Sequence, residues 1–138
     1  VWDATVPDEG SVESMDVVLA DVPCTGLGVI GKKRDIKYRQ TKENLTEIIV
    51  LQKDILRQAV RYLRPGGTLL YSTCTINRAE NEDMVRWMQK ELSLTPVTVE
   101  SALRGFPETE TAKEGYMQLL PGIHDTDGFF FAKLKRGL

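Results

Sequence analysis

Two short apolar runs, separated by a long helical pattern, limit this chain to very few folds. Asp16-Val17-Val18-Leu19-Ala20-Asp21 is rich in β-branched residues and bounded by acids, and it reads as a strand buried on both faces. Thr68-Leu69-Leu70-Tyr71-Ser72 reads as a second buried strand. Between them Leu45, Ile48, Ile49, Gln52, Ile55, Leu56, Ala59, Val60 and Leu63 recur at helical spacing, with Thr41 as N-cap and Pro65-Gly66-Gly67 as the stop. Eight of these nine positions are apolar. Asn77, with Glu80 three residues on, resembles a capping pair for a second helix with the apolar stripe Met84, Val85, Met88 and Leu92. Thr95 to Val99, Tyr116 to Leu120 and Gly128 to Leu134 read as further strands, and residues 100–115 as polar and irregular. The expected class is α/β, a parallel sheet with crossover helices and a late antiparallel strand. A length of 138 residues suffices for one domain with its own core.

The chain has two cysteines, and each follows one of the two runs. Cys24 lies in Asp21-Val22-Pro23-Cys24-Thr25-Gly26-Leu27-Gly28, and Cys74 in Ser72-Thr73-Cys74-Thr75. Open α/β sheets bind their ligands at the carboxyl ends of their strands. If the two strands are neighbours, both thiols emerge at one edge, within reach of one substrate. A free cysteine also serves as a small buried hydrophobe. Two of them, both at strand ends and both in loop-forming contexts, favour nucleophilic catalysis instead. Asp21, at the end of its strand, either holds the polar edge of a base or cofactor or caps the loop. Gly26-x-Gly28-x-x-Gly31 matches a dinucleotide-binding pattern in form, but the basic run after it does not start a helix. Cysteines fifty residues apart and a single histidine, His124, make no zinc pattern, so no metal is expected and His124 reads as a surface residue.

Composition excludes other classes. Hydrophobic content of 41% and charged content of 28% are ordinary for a globular protein. No apolar stretch approaches the roughly 18 residues of a membrane span. The first residues carry no signal-peptide pattern, and a cytoplasmic chain with reduced thiols is expected. The net charge is only −2, but its distribution is uneven. Residues 1–30 hold six acids and no Lys or Arg, whereas Lys32, Lys33, Arg34, Lys37, Arg39 and Lys42 fall within eleven residues, opposed only by Asp35. That cluster is a candidate phosphate-contacting patch.

Taken in order, Asp-x-Pro-Cys-x-Gly-x-Gly, a basic stretch with Asp-Ile-Lys-Tyr, Leu-x-Pro-Gly-Gly-x-Leu-x-Tyr-Ser-Thr-Cys-Thr, Glu-Asn-Glu and Thr-Asp-Gly-Phe-Phe resemble the RNA cytosine-C5 methyltransferases, most closely the bacterial enzymes of small-subunit ribosomal RNA. The likeness runs from about Trp2 to Arg136. It implies a Rossmann-like fold with S-adenosylmethionine as cofactor and RNA as partner. It also implies roles for individual residues. Cys74 is the nucleophile on C6 of a cytosine, Cys24 assists release of the methylated product, and Asp21 contacts the base, the cofactor or both. Asp3 approaches the cofactor's adenine, and Lys32, Lys33, Arg34, Lys37 and Arg39 lie beside the RNA backbone. A thiolate suits this chemistry, because C5 of cytosine is a poor nucleophile until something adds at C6. In the DNA cytosine methyltransferases the Pro-Cys cysteine attacks instead, but the Thr-Cys motif here favours Cys74.

The sequence also departs from that family. It contains neither the Cys-Ala-Ala-Pro-Gly-Gly type of cofactor loop nor the acidic ribose-binding residue, both of which precede Asp3 in relatives. Arg34 stands where relatives often have proline. The whole chain, 1–138, is thus expected to be the C-terminal half of a methyltransferase domain, binding S-adenosylmethionine weakly on its own. The strand at 16–20 is expected to lack a neighbour and to form a homodimer through its exposed edge. The rival expectation is a non-catalytic RNA-binding or assembly module with inert cysteines.

Overall fold

A computed structural model describes residues 3–39, 41–100 and 110–138. Five strands form one sheet, β1 (Met15–Asp21), β2 (Leu63–Thr73), β3 (Leu94–Pro96), β4 (Tyr116–Leu119) and β5 (Phe129–Arg136). The helices are α1 (Lys42–Tyr62), α2 (Glu82–Glu91) and the short α3 (Glu110–Lys113). The spatial order is β1-β2-β5-β3, with β4 also paired to β5. β1 and β2 are parallel and joined by the crossover helix α1, while β5 runs antiparallel to β2, β3 and β4. Both the parallel unit and the late antiparallel strand are therefore present.

The helix α1 starts as the sequence dictates, with the Thr41 hydroxyl accepting the Asn44 N–H at 3.1 Å. It buries Gln52, Leu56 and Ala59 against the sheet. Its end differs from expectation. The helix stops at Tyr62, and Leu63 already belongs to β2, which therefore contains Pro65-Gly66-Gly67 rather than following it. A residue preceding proline is held out of the helical region, so Arg64 is extended. The pairing with β1 jumps from Met15↔Leu63 to Val17↔Thr68, so the Pro-Gly-Gly segment is looped out as a bulge, with Gly66 at φ +75.

The strand β1 also departs from expectation, since it is not buried on both faces. Only Ala20 is buried, while Val17 is 55% and Leu19 69% exposed. Alternation turns Val18 towards the core and its neighbours away from it. As the end strand, β1 has β2 as its one partner in the sheet. The core lies on the other side, where Leu56, Leu63, Leu69, Tyr71, Met84, Met88, Phe130 and Leu134 interdigitate. On α2, Trp87 faces two cations of α1, with Lys53 Nζ and the Arg57 guanidinium each 5.3 Å from its ring centroid.

Candidate active site

The register of β1 and β2 decides where the thiols meet. Asp21 pairs with Ser72, so the chain leaves both strands at the same level and on the same edge. Ser72 Oγ donates to Asp21 Oδ1 at 2.9 Å, and the Val22 N–H donates to the Ser72 carbonyl at 3.2 Å. From these adjoining exits Cys24 and Cys74 converge until their Sγ atoms lie 3.1 Å apart. Both are free thiols and half-buried. Burial first, and then the hydrogen bond to Cys74, push the Cys24 thiol up to about 12. Cys24 thus stays protonated at neutral pH and can donate its hydrogen to the Cys74 sulfur.

The paired thiols form the floor of a cavity of ≈ 640 Å³. Asn44, Glu47, Ile48 and Leu51 of α1 make one wall, and Val29, Lys33 and Ile36 of the long loop make another. A second cavity of ≈ 550 Å³ lies across Leu51, lined by Asp3, Asp21, Pro23, Ile55 and Leu19 among others. Asp21 lines this second cavity together with Asp3. The Asp3 carboxylate accepts the Thr5 N–H at 2.9 Å and the Thr5 hydroxyl at 2.7 Å, and these bonds, the backbone one first, hold its pKa below the usual carboxylate value.

The basic cluster is divided. Lys33 lines the thiol cavity. Lys32 Nζ pairs with Asp127 at 2.6 Å while remaining largely exposed. The backbone of Arg34–Arg39 forms a 3-10 helix, but the side chains of Arg34, Lys37 and Arg39 lie outside the described residues. Among the described residues, no group of three or more His, Cys, Asp and Glu can hold a metal ion. His124 Nδ1 accepts the Leu120 N–H at 2.9 Å, a local loop contact.

The glycine pattern has a packing role. A Cβ on Gly28 would lie 2.0 Å from the Gly128 carbonyl oxygen and 2.8 Å from that of Cys74. The absence of a side chain lets the Gly28 N–H reach the Cys74 carbonyl at 3.0 Å and the Gly128 N–H reach the Gly28 carbonyl at 2.8 Å. Thus the Thr-Asp-Gly-Phe-Phe segment is stitched to both cysteine loops.

Sequence reading missed the polar layer beneath the thiols. Glu80 is no capping residue. It is fully buried, and its Oε2 accepts the Thr25 N–H at 2.8 Å and Gln52 Nε2 at 3.1 Å, while Oε1 accepts the Thr25 hydroxyl at 2.5 Å. Gln52 Nε2 also donates to the Pro23 carbonyl at 2.9 Å. Asn81, equally buried, accepts the Thr73 hydroxyl at 2.7 Å and donates to the Thr75 carbonyl at 3.0 Å. The signals were the one polar residue in the apolar stripe of α1, Gln52, and the threonine that follows each cysteine.

The family model described as 16S rRNA methyltransferase RsmB/F matches residues 1–135. A ribosomal RNA small subunit methyltransferase F from Shigella flexneri serotype 5b is 40% identical over 140 residues, covering 99% of this chain and 28% of its own length. The protein of the same name from Pectobacterium atrosepticum is 36% identical over 126 residues, covering 90% and 26%. The chain therefore spans little more than a quarter of the curated relatives it matches. Among solved structures, a methyltransferase homolog from Pyrococcus horikoshii superposes with a TM-score of 0.72 and 31% identity over 93% of this chain and 41% of its own. NSun6 from the same organism, crystallised with the S-adenosylmethionine analogue SFG, superposes with a TM-score of 0.70 and 30% identity over 86% and 29%. These neighbours carry the Rossmann-like methyltransferase fold, and the match over nearly the full sequence means that this chain belongs to the 16S rRNA methyltransferase RsmB/F family.

Proposed function

We propose that this chain is the C-terminal half of the methyltransferase domain of a longer cytoplasmic enzyme that transfers a methyl group from S-adenosylmethionine to C5 of a cytosine in ribosomal RNA. The observation that carries this reading is the pair of thiols, 3.1 Å apart, at the floor of one cavity. A flipped or single-stranded base enters that cavity. Cys74, as thiolate, adds to C6, and the displaced electron pair makes C5 nucleophilic. After methyl transfer the C5 proton leaves to a base, and its electrons re-form the C5–C6 double bond as the Cys74 sulfur departs. Cys24 supports that departure by donating its S–H hydrogen to the leaving sulfur. The exposed Lys32 and the cavity-lining Lys33 lie where an RNA backbone passes, with Arg34, Lys37 and Arg39 in the same loop.

S-adenosylmethionine, when bound, supplies an electrophilic methyl group. The second cavity suits it, because two carboxylates, Asp3 and Asp21, stand among the apolar side chains of Leu51 and Ile55. Asp21 and Asp3 are the residues of this chain that would hold it. Leu19, which lines that cavity, is largely exposed, and on this reading the isolated chain binds S-adenosylmethionine weakly and is inactive alone. Calorimetry returning micromolar binding to the isolated chain would overturn this. The open edge of β1 also supports self-association of the isolated chain as a homodimer. Light scattering that shows a monomer at high concentration counts against it.

The full-length protein, incubated with S-adenosylmethionine and 5-fluorocytosine-containing RNA, tests the mechanism. The wild type is expected to form a denaturation-resistant protein–RNA adduct. Cys74→Ser is expected to abolish both adduct and turnover. On ordinary RNA, Cys24→Ser is expected to accumulate adduct. The reverse pattern exchanges the roles of the two cysteines, and no adduct in any arm points to a non-catalytic RNA-binding module.

A further inference from the structure

We propose that Glu80 is a positioning residue for Cys24, acting on product release rather than on nucleophilic attack. The proposal rests on the methyltransfer reading above and adds a division of labour within the buried polar layer.

Glu80 and Asn81 are neighbours in sequence, yet their side chains serve different cysteines. Every side-chain contact of Glu80 leads to the Cys24 loop. Its two oxygens take the N–H and hydroxyl of Thr25, the residue after Cys24. It also takes Gln52 Nε2, whose other bond goes to the carbonyl of Pro23, the residue before Cys24. Both acceptors of Gln52 Nε2 demand the NH₂ group, which fixes the amide orientation and leaves Gln52 Oε1 buried without a partner. Cys24 is therefore held from both sides through one carboxylate. Asn81 instead grips the Thr73 hydroxyl and the Thr75 carbonyl, the residues on either side of Cys74. The two systems are joined directly by the Thr25–Thr75 hydroxyl contact at 2.9 Å.

This link has a direction. The Asn77 N–H donates to the Thr75 oxygen at 3.2 Å, so the Thr75 hydroxyl is free to donate to Thr25, which in turn donates to Glu80. The carboxylate is the terminal acceptor of the chain. Replacing it with an amide puts a donor against at least one of three donors, and the Cys24 loop loses its anchor while Asn81 keeps Cys74 in place. A displacement of about 1 Å in a reacting group is enough to cost about a hundredfold in rate.

The test is Glu80→Gln in the full-length protein, on ordinary RNA with S-adenosylmethionine. Turnover is expected to fall by about tenfold to a hundredfold, while covalent adduct accumulates as it does in Cys24→Ser. Asn81→Ala is expected to lose turnover and adduct together. If Glu80→Gln loses adduct in proportion to turnover, the proposal is overturned. Should Glu80→Gln fail to fold, Thr25→Val cuts the same link with the same expected result, and Thr25→Ser restores it. A second readout needs no methyl transfer. In iodoacetamide labelling followed by peptide mass spectrometry, Glu80→Gln is expected to raise alkylation of Cys24 relative to Cys74 several-fold, and an unchanged ratio overturns the proposal. If Cys24→Ser itself accumulates no adduct, the methyltransfer reading has failed, and the labelling ratio still decides the role of Glu80.

Discussion

The carboxyl edge shared by β1 and β2 and the outer edge of β1 belong to the same strand pair, yet they are built in opposite ways. At the carboxyl edge nearly every polar group that flanks the thiols has a partner from a distant part of the sequence. Thr25 meets Glu80, Pro23 meets Gln52, Cys74 meets Gly28 and Gly28 meets Gly128. Along the outer edge, Met15, Val17 and Leu19 are exposed, and β2 is the only strand beside them among the described residues. The thiols are thus fixed by contacts from several elements of this chain, whereas the second cavity borders an edge strand whose Leu19 is largely exposed. On the proposed reading, positioning the nucleophile and enclosing the cofactor are separable tasks in this fold.

That contrast can be broken at its closed end first. Gly28→Ala places a methyl group 2.0 Å from a backbone oxygen that no rotamer can move. We expect a loss of about 3 kcal/mol or more in urea unfolding, from overpacking and two disrupted backbone hydrogen bonds. Gly31→Ala, where an added Cβ meets nothing within 4 Å, serves as the control and should cost less than about 0.5 kcal/mol.

A smaller effect concerns alkaline pH. Cys24 is raised from 9.0 to about 12 in the folded chain, so between these values the folded state holds a proton that the unfolded state releases. Its contribution to stability is present in full below 9.0 and is lost as pH climbs towards 12. The buried Tyr71 phenol, raised chiefly by burial, acts in the same sense. The urea midpoint should fall across this window, with a shallower slope in Cys24→Ser. An identical slope would show that Cys24 does not titrate this way.

The smallest effect on stability is expected at the open end. Leu19→Lys should change unfolding by no more than about 0.5 kcal/mol, because the side chain is already largely exposed. The same charge on an edge strand should nevertheless abolish self-association of the isolated chain in light scattering. If a dimer persists, another surface makes it.

The sequence carried the β1-α1-β2 unit plainly, since its apolar periods are local and Thr41 marks the helix start. It also placed both thiols at one edge, because Cys24 stands three residues beyond Asp21 and Cys74 two beyond Ser72, just past the ends of the two strands. The open edge of β1 was expected only through the family resemblance, and the apolar run itself read as buried on both faces, because Val17 and Leu19 are as apolar as buried residues and only their surroundings differ. The role of Glu80 was hidden for a related reason. Its local context, three residues after Asn77, suits a helix start, whereas its actual partner Thr25 lies 55 residues away. Asn77 does make a local turn, accepting the Ala79 N–H on its side chain and the Glu80 N–H on its carbonyl, each at 3.0 Å, but the Glu80 side chain turns away from it to Thr25.

The place of β5 bears on how the site comes into being. Last of the described elements in sequence, it nevertheless lies inside the sheet, between β2 on one side and β3 and β4 on the other. Its lead-in residue Gly128 closes the stitch that runs through Gly28 to Cys74. Such non-local pairing makes for slow folding, because the connecting chain must be ordered before the contacts that reward it can form. The carbonyl of Cys74 is anchored, through Gly28, by a segment far from it in sequence, and a lesion at the start of β5 is expected to loosen the thiol pair without touching either sulfur.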